Sequence, residues 1–216
     1  MRAAPDLSAD RANVLKLTPV SRETGERLDR FVELLLRWQS AVQLVAKSTL
    51  PQLWTRHIAD SLQLLDLAPD AKVWADLGSG GGFPGIVLAI VLKETPDAQI
   101  HLIESDQRKG AFLREAARAL DLPAMIHVKR IEEVEPSALP GLQAVTARAL
   151  APLPELLQIA VPLMQSGAKG LFMKGANVEN ELTEATKSWK IQSSIVPSKT
   201  DAAGRIVIVE RALRQN

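Results

Sequence analysis

The chain of 216 residues is 46% hydrophobic and 24% charged, enough for one sizeable α/β domain with an appendage and a well-buried core. A formal charge of +1 does not announce a nucleic-acid binder, and the absence of cysteine excludes disulfides, a thiolate metal site and a cysteine nucleophile. The start lacks the apolar core of a signal peptide, and the longest apolar run, Ile86 to Leu92, is far too short to span a bilayer, so a cytoplasmic protein with no membrane partner and no metal is expected.

In chain order, the first dozen residues are polar and expected to fray. Leu28, Phe31, Leu35, Trp38 and Val42 then recur at three- and four-residue steps and predict a helix. A second helical stretch is expected from Leu50 to Leu67, ended by Pro69. Residues 1–70 therefore read as a helical extension, with Trp38 and Trp54 in its core.

Residues 71–216 read as an α/β domain. Strands are predicted at Lys72–Leu77, Gln99–Glu104, Ala124–Lys129, Leu142–Arg148, Gly170–Lys174, Ile191–Val196 and Arg205–Arg211. Helices are predicted at Pro84–Lys93, Arg108–Leu120, Leu153–Met164 and Val178–Ser188. Such alternation predicts a parallel Rossmann-like sheet of about seven strands with helices on both faces. The short connection from Pro197 to Gly204 predicts an antiparallel last pair.

The first strand runs into Asp76-Leu77-Gly78-Ser79-Gly80-Gly81-Gly82-Phe83-Pro84-Gly85. Glycines such as Gly78, Gly80 and Gly82 permit positive φ and bring a ligand against bare backbone. Pro84 suits the first turn of a following helix. The stretch from Gly80 to Gly85 matches a dinucleotide fingerprint. Yet Pro84 removes an N–H that would face a pyrophosphate, and Asp76 would repel one. Neither harms S-adenosylmethionine, a sulfonium ligand without phosphate, whose ammonium Asp76 could hold unless it organises the loop. Glu104, at the tip of the second strand, is placed to accept from ribose hydroxyls, and Ile131 and Glu132 from their turn to lie beside an adenine.

Further ordered motifs accompany the loop. They are Arg56-His57-Ile58-Ala59-Asp60-Ser61, Glu104-Ser105, Val145-Thr146-Ala147-Arg148-Ala149 and Phe172-Met173-Lys174-Gly175. Together they resemble the bacterial small-subunit ribosomal RNA 7-methylguanosine methyltransferases, the glucose-inhibited division protein B family, from about Phe31 to the C-terminus. The resemblance implies a Rossmann-like methyltransferase fold with a helical N-terminal extension, acting on one guanine of 16S rRNA. It also implies that S-adenosylmethionine contacts Gly78, Phe83, Ile131, Glu132 and Arg148. Gln43-Leu44-Val45 departs from the family's Asn-Leu-Thr, and Glu104 stands where aspartate is common.

Methyl transfer depends mainly on positioning, and guanine nitrogen-7 carries a lone pair, so no general base is required. The lack of cysteine argues against covalent cytosine carbon-5 methylation, and the lack of any tyrosine against the tyrosine-ended boxes used on exocyclic amines. Arg148 and Lys174 fall at strand ends on the ligand-binding edge. Arg148 is expected to contact the cofactor or the guanine oxygen-6, and Lys174 a phosphate or the guanine. Removing the Arg148 side chain is expected to abolish activity and spare the fold. His57 reads as structural, held by a neighbour such as Asp60. Arg108, Lys109, Arg114, Arg118, Lys129 and Arg130 read as solvated charges. Near-neutral charge favours recognition of structured 16S rRNA in the small subunit or an assembly intermediate over arbitrary RNA. A dinucleotide-dependent enzyme and a non-catalytic RNA-binding module are the competing readings.

Overall fold

The computed structural model describes residues 5–215. The expectation of fraying falls partly on residues 1–4, outside the described residues. From Ser8 to Leu17 the chain forms α1 instead. Its hold is tertiary. Asp10 accepts from the Trp54 amide at 2.8 Å, the Arg11 guanidinium meets Asp29, and Val14 is buried. A weakly patterned segment thus becomes a helix because its partners lie elsewhere in the chain.

α2 (Arg22–Gln39) begins at Ser21, whose hydroxyl accepts the Thr24 amide as an N-cap. The expected helix from Leu50 to Leu67 is broken into three kinds of turn. Lys47–Gln52 is 3-10, Trp54–Ala59 is π-helical, and α3 (Asp60–Leu67) is regular. Pro51 lies inside the first of these, and π turns recur at functional sites.

The sheet has the predicted seven strands, with the last pair antiparallel. Its strands are β1 (Val73–Leu77), β2 (Gln99–Ile103), β3 (Ala124–His127), β4 (Ala144–Arg148), β5 (Lys169–Lys174), β6 (Trp189–Pro197) and β7 (Arg205–Arg214). They lie in the order β3-β2-β1-β4-β5-β7-β6. β1 to β5 are parallel, while β7 is antiparallel to both β5 and β6, so one strand is reversed. Between them run α4 (Gly85–Val91), α5 (Gln107–Ala119), α6 (Leu153–Ala160) and α7 (Val178–Thr186). α6 stops short of the predicted Met164, just ahead of Pro162, which cannot continue the ladder. Pro84 is the residue before α4 rather than its first turn, joined to Phe83 by a cis peptide.

Two apolar layers sandwich the sheet. On one face α6 and α7 bury Leu153, Leu157 and Val178 against Val145 and Phe172. On the other, the helices of the N-terminal extension share one core with α4 and α5. Phe31 of α2 packs 5.4 Å from Phe83 and 6.2 Å from Phe112, centroid to centroid. Trp54 is fully buried and Trp38 half-buried, edge-on to Phe112 at 5.8 Å. The extension therefore presses on the glycine loop from behind and sets its shape.

Candidate functional site

The loop after β1 closes on itself. The Gly78 and Ser79 amides both donate to the Ile103 carbonyl, at 2.9 and 3.0 Å, and the Gly82 amide donates to Ser79 O at 2.7 Å. Gly78, Gly80 and Gly82 have φ of 70°, 52° and 85°, a region L side chains rarely adopt. Gly78 and Gly80 are partly exposed, while Ser79, Gly81 and Gly82 face the core. The Leu44 carbonyl of the extension lies 2.8 Å from where a Gly81 Cβ would stand, so the loop has no room behind it.

Asp76 is the loop's organiser, and its carboxylate points inward. Oδ2 accepts the Gly85 amide at 3.1 Å, and Oδ1 accepts the Thr146 hydroxyl at 3.0 Å from the neighbouring strand. Burial pushes this carboxyl up to about 6 against those donors. It is not placed to hold a ligand ammonium. The first free amide of α4 is spent on Asp76 rather than offered to a pyrophosphate, which weakens the dinucleotide reading. Phe83 is likewise turned into the core, its ring 4.8 Å from His57.

In front of the loop is a cavity of about 330 Å³. Gly78, Gly80, Glu104, Ile131, Glu132 and Arg148 all line it, so six of the predicted cofactor residues come together there. Asp76, Gly82 and Phe83 stand behind it. The cavity opens at the carboxyl ends of β1, β2 and β4, the edge where open α/β sheets bind ligands. Glu104 bridges it: Oε2 accepts the Gly80 amide at 2.9 Å and Oε1 the Asp106 amide at 2.8 Å. A Cβ on Gly80 would meet nothing closer than 3.7 Å, so the cavity floor at this point is bare backbone. A bare floor and a carboxylate beside it suit an uncharged ribose. Lys109, Lys129 and Arg130 also line this cavity, although their spacing read as solvated charge. The signal that could have found Lys109 is Asp106, two residues after Glu104, whose side chain caps α5 at the Arg108 and Lys109 amides.

Arg148 ends β4 and ties the sheet to the extension. Its Nη1 donates to His57 Nδ1 at 2.9 Å and its Nη2 to the Arg56 carbonyl at 2.8 Å. The partner of His57 is thus not Asp60. Nε2 of the ring lies 2.8 Å from the Thr49 hydroxyl, and with Nδ1 accepting from Arg148 it must be the donor. Burial, with Arg148 and Arg56 adding repulsion, pushes His57 down to about 3. Arg56 itself pairs with Asp201 at 2.6 Å, which pins the β6–β7 hairpin to the extension. Lys174 is half of a shielded pair. Nζ meets Glu181 at 2.7 Å and donates to the Ala151 carbonyl, so its charge is neutralised rather than offered to a phosphate. Gln43 is exposed and does not line this cavity, whereas Gln39 braces the Leu44 and Val45 backbone. Among the described residues no group of three His, Asp or Glu side chains is placed to hold a metal ion.

The His57 arrangement has a measurable pH signature. Unfolded His57 takes up a proton below about 6.5, but the folded ring resists until about 3, so its stability contribution is complete above 6.5 and lost as pH falls toward 3. The expected slope is about 1.4 kcal/mol per pH unit for one proton. His57→Gln keeps an acceptor for Arg148 and a donor for Thr49 without that proton. Its melting temperature should fall less steeply than wild type between pH 6.5 and 4. Parallel curves would show that His57 is not the buried neutral ring described.

Comparison with known proteins identifies the family and the fold. The model of a family described as rRNA small subunit methyltransferase G (GidB) matches residues 24–207. The ribosomal RNA small subunit methyltransferase G of Bradyrhizobium sp. (strain BTAi1 / ATCC BAA-1182) is 56% identical over 214 residues, covering 99% of this chain and 96% of that protein. The protein of the same name from Nitrobacter hamburgensis is 54% identical over 213 residues, covering 99% and 82%. Among solved structures, the O-methyltransferase TomG from Streptomyces achromogenes in complex with SAM superposes with a TM-score of 0.60 at 17% identity, over 97% of this chain and 99% of that one. The O-methyltransferase from Bacillus cereus in complex with SAH gives 0.61 at 13% identity, over 94% and 97%. At such identities these two establish the fold.

Proposed function

Since the chain belongs to the rRNA small subunit methyltransferase G family, we propose that it transfers a methyl group from S-adenosylmethionine to nitrogen-7 of one guanine in 16S rRNA. The observation that carries this reading is the cavity in which Gly78, Gly80, Glu104, Ile131, Glu132 and Arg148 meet at the carboxyl edge of the sheet. Glu104 would hold the ribose, Ile131 and Glu132 the adenine, and the bare backbone of Gly78 and Gly80 the rest of the cofactor. Bound there, S-adenosylmethionine supplies an electrophilic methyl group. The chain's own contribution is to hold the two reactants in line, which can remove roughly 7–11 kcal/mol of barrier.

The surrounding groups suit a nucleophile that needs no deprotonation. His57 is neutral but its Nδ1 lone pair is taken by Arg148, and Lys174 is tied to Glu181. Nitrogen-7 brings its own lone pair. Arg148 cannot donate to that atom while it attacks, so oxygen-6 is its natural contact. Charge of only +1 gives weak attraction to arbitrary RNA, and the reading places the substrate inside the small subunit or an assembly intermediate, in the cytoplasm.

The test is to incubate the enzyme with small subunits lacking the modification and a labelled methyl donor, then digest the RNA. Label is expected in 7-methylguanosine from one site, with little transfer to free guanosine. Label in another nucleoside, or tight NAD(H) binding without S-adenosylmethionine binding, would refute the proposal.

A further inference from the structure

A second cavity, of about 480 Å³, adjoins the cofactor cavity, and the two share Arg148, Ala149, Leu150 and Ala151. Its volume falls within the roughly 300–1,000 Å³ usual for ligand pockets. Most of the charge around it is already satisfied. Arg56 is paired with Asp201 and Lys174 with Glu181.

Asp60 differs. Its Oδ1 accepts three hydrogen bonds, from Gln63 Nε2 at 2.7 Å, Thr200 Oγ1 at 2.7 Å and Ser198 Oγ at 3.2 Å. Its Oδ2 accepts none among the described residues. The Nε of Arg148 lies 3.8 Å from it, a loose ion pair beyond hydrogen-bond reach. Three donors on one oxygen fix the carboxylate plane and leave the other oxygen as an open acceptor in the cavity wall. Beside it, Arg148 spends one N–H on His57 and one on Arg56 and keeps others free. The wall thus presents an acceptor and then donors, with the cofactor cavity beyond them.

Guanine has the complementary order along its edge. The N2 amine and N1–H donate, O6 accepts, and N7 follows next to O6. Adenine reverses the first part, with N1 accepting and its amine donating. Enzymes that act on a base commonly take it out of the stack and read it by such hydrogen bonds. We propose that Asp60 is the residue that recognises the target base as guanine. Its Oδ2 accepts from N1–H and the N2 amine while Arg148 donates to O6, an orientation that leaves N7 toward the cofactor cavity. This rests on the methyltransferase reading above and names the specificity determinant within it.

Two comparisons test it, both on small subunits reconstituted with 16S RNA once the methylated position has been mapped. The first uses wild-type enzyme and RNA with inosine at that position, which keeps N1–H, O6 and N7 but lacks the N2 amine. Turnover is expected to fall about 10- to 100-fold in kcat/KM relative to guanine. The second uses Asp60→Asn. Its oxygen can keep the Gln63 and Thr200 contacts while its amide faces N1–H with a donor. It should lose about 100-fold on guanine and methylate guanine and inosine within about two-fold of each other. Its affinity for S-adenosylmethionine by calorimetry should match wild type. Equal wild-type rates on guanine and inosine, or an Asp60→Asn enzyme that keeps the wild-type ratio, would overturn the assignment. If the variant fails to fold, the wild-type comparison still decides. A product other than 7-methylguanosine would instead sink the activity, whereas 7-methylguanosine formed equally well beside an inosine control sinks Asp60 alone.

Discussion

Arg148→Ala is expected to lower kcat/KM for methyl transfer by about 10²–10³-fold, since both cavities lose the donor they share. It should also weaken the fold, contrary to what the position of Arg148 at a strand tip suggests. His57 Nδ1 and the Arg56 carbonyl both lose their donor, and a buried orphan costs about 1–3 kcal/mol. Relief from burying a guanidinium offsets part of this, for a net loss of about 2 kcal/mol and a drop in melting temperature of about 4–8 °C. Arg148→Lys separates the two effects. It keeps a charge at the shared wall but cannot fork to a ring nitrogen and a carbonyl together. Steady-state kinetics and thermal melts on both variants check this. Full turnover in the alanine variant would show that the side chain only braces the fold. An unchanged melting temperature would show that the bridge to the extension contributes nothing.

Gly85→Ala is expected to cost stability on the order of 3 kcal/mol, near the upper end for overpacking, and to lower the melting temperature by about 6–12 °C. The added Cβ would stand 2.0 Å from Leu102 Cδ2 and 2.7 Å from Asp76 Oδ2. Neither neighbour can yield cheaply. Leu102 is wholly buried under α4, and Asp76 cannot swing away without dropping the Thr146 hydroxyl and the Gly85 amide. Because the same carboxylate anchors the end of the loop, cofactor affinity should fall with stability. Gly175→Ala is the matched control, since its Cβ would meet nothing within 4 Å. Similar melting curves for the two variants would mean that the close approach at Gly85 is not a constraint.

Much of the fold is legible in the chain. The stretches Lys72–Leu77, Gln99–Glu104 and Leu142–Arg148 are short and bounded by turn residues, and they become parallel strands as predicted, the second ending one residue early at Ile103. The brief link between β6 and β7 produces the hairpin. Part of the site is legible for the same local reason. Gly78, Gly80, Glu104 and Arg148 sit where strands stop, and parallel strands stop at one common edge.

What stays hidden is the choice of partners. Asp76 reads as an acid that either holds a ligand ammonium or organises the loop, and Thr146 of the adjacent strand and the Gly85 amide decide for the loop by supplying inward donors. Lys174 reads as a free cation until α7 brings up Glu181. α1 has little apolar pattern and forms on the strength of Asp10, Arg11 and Val14 finding distant partners. Asp60 becomes an oriented acceptor only when the β6–β7 hairpin delivers Ser198 and Thr200 to one of its oxygens. Periodicity and turn chemistry act over a few residues, so they specify elements, their order and the glycine loop. Hydrogen bonds and ion pairs in the site join residues far apart in sequence, and no spacing rule encodes those. The loop's chemistry was therefore open to reading in the chain, while the direction of each charge around it was decided by packing.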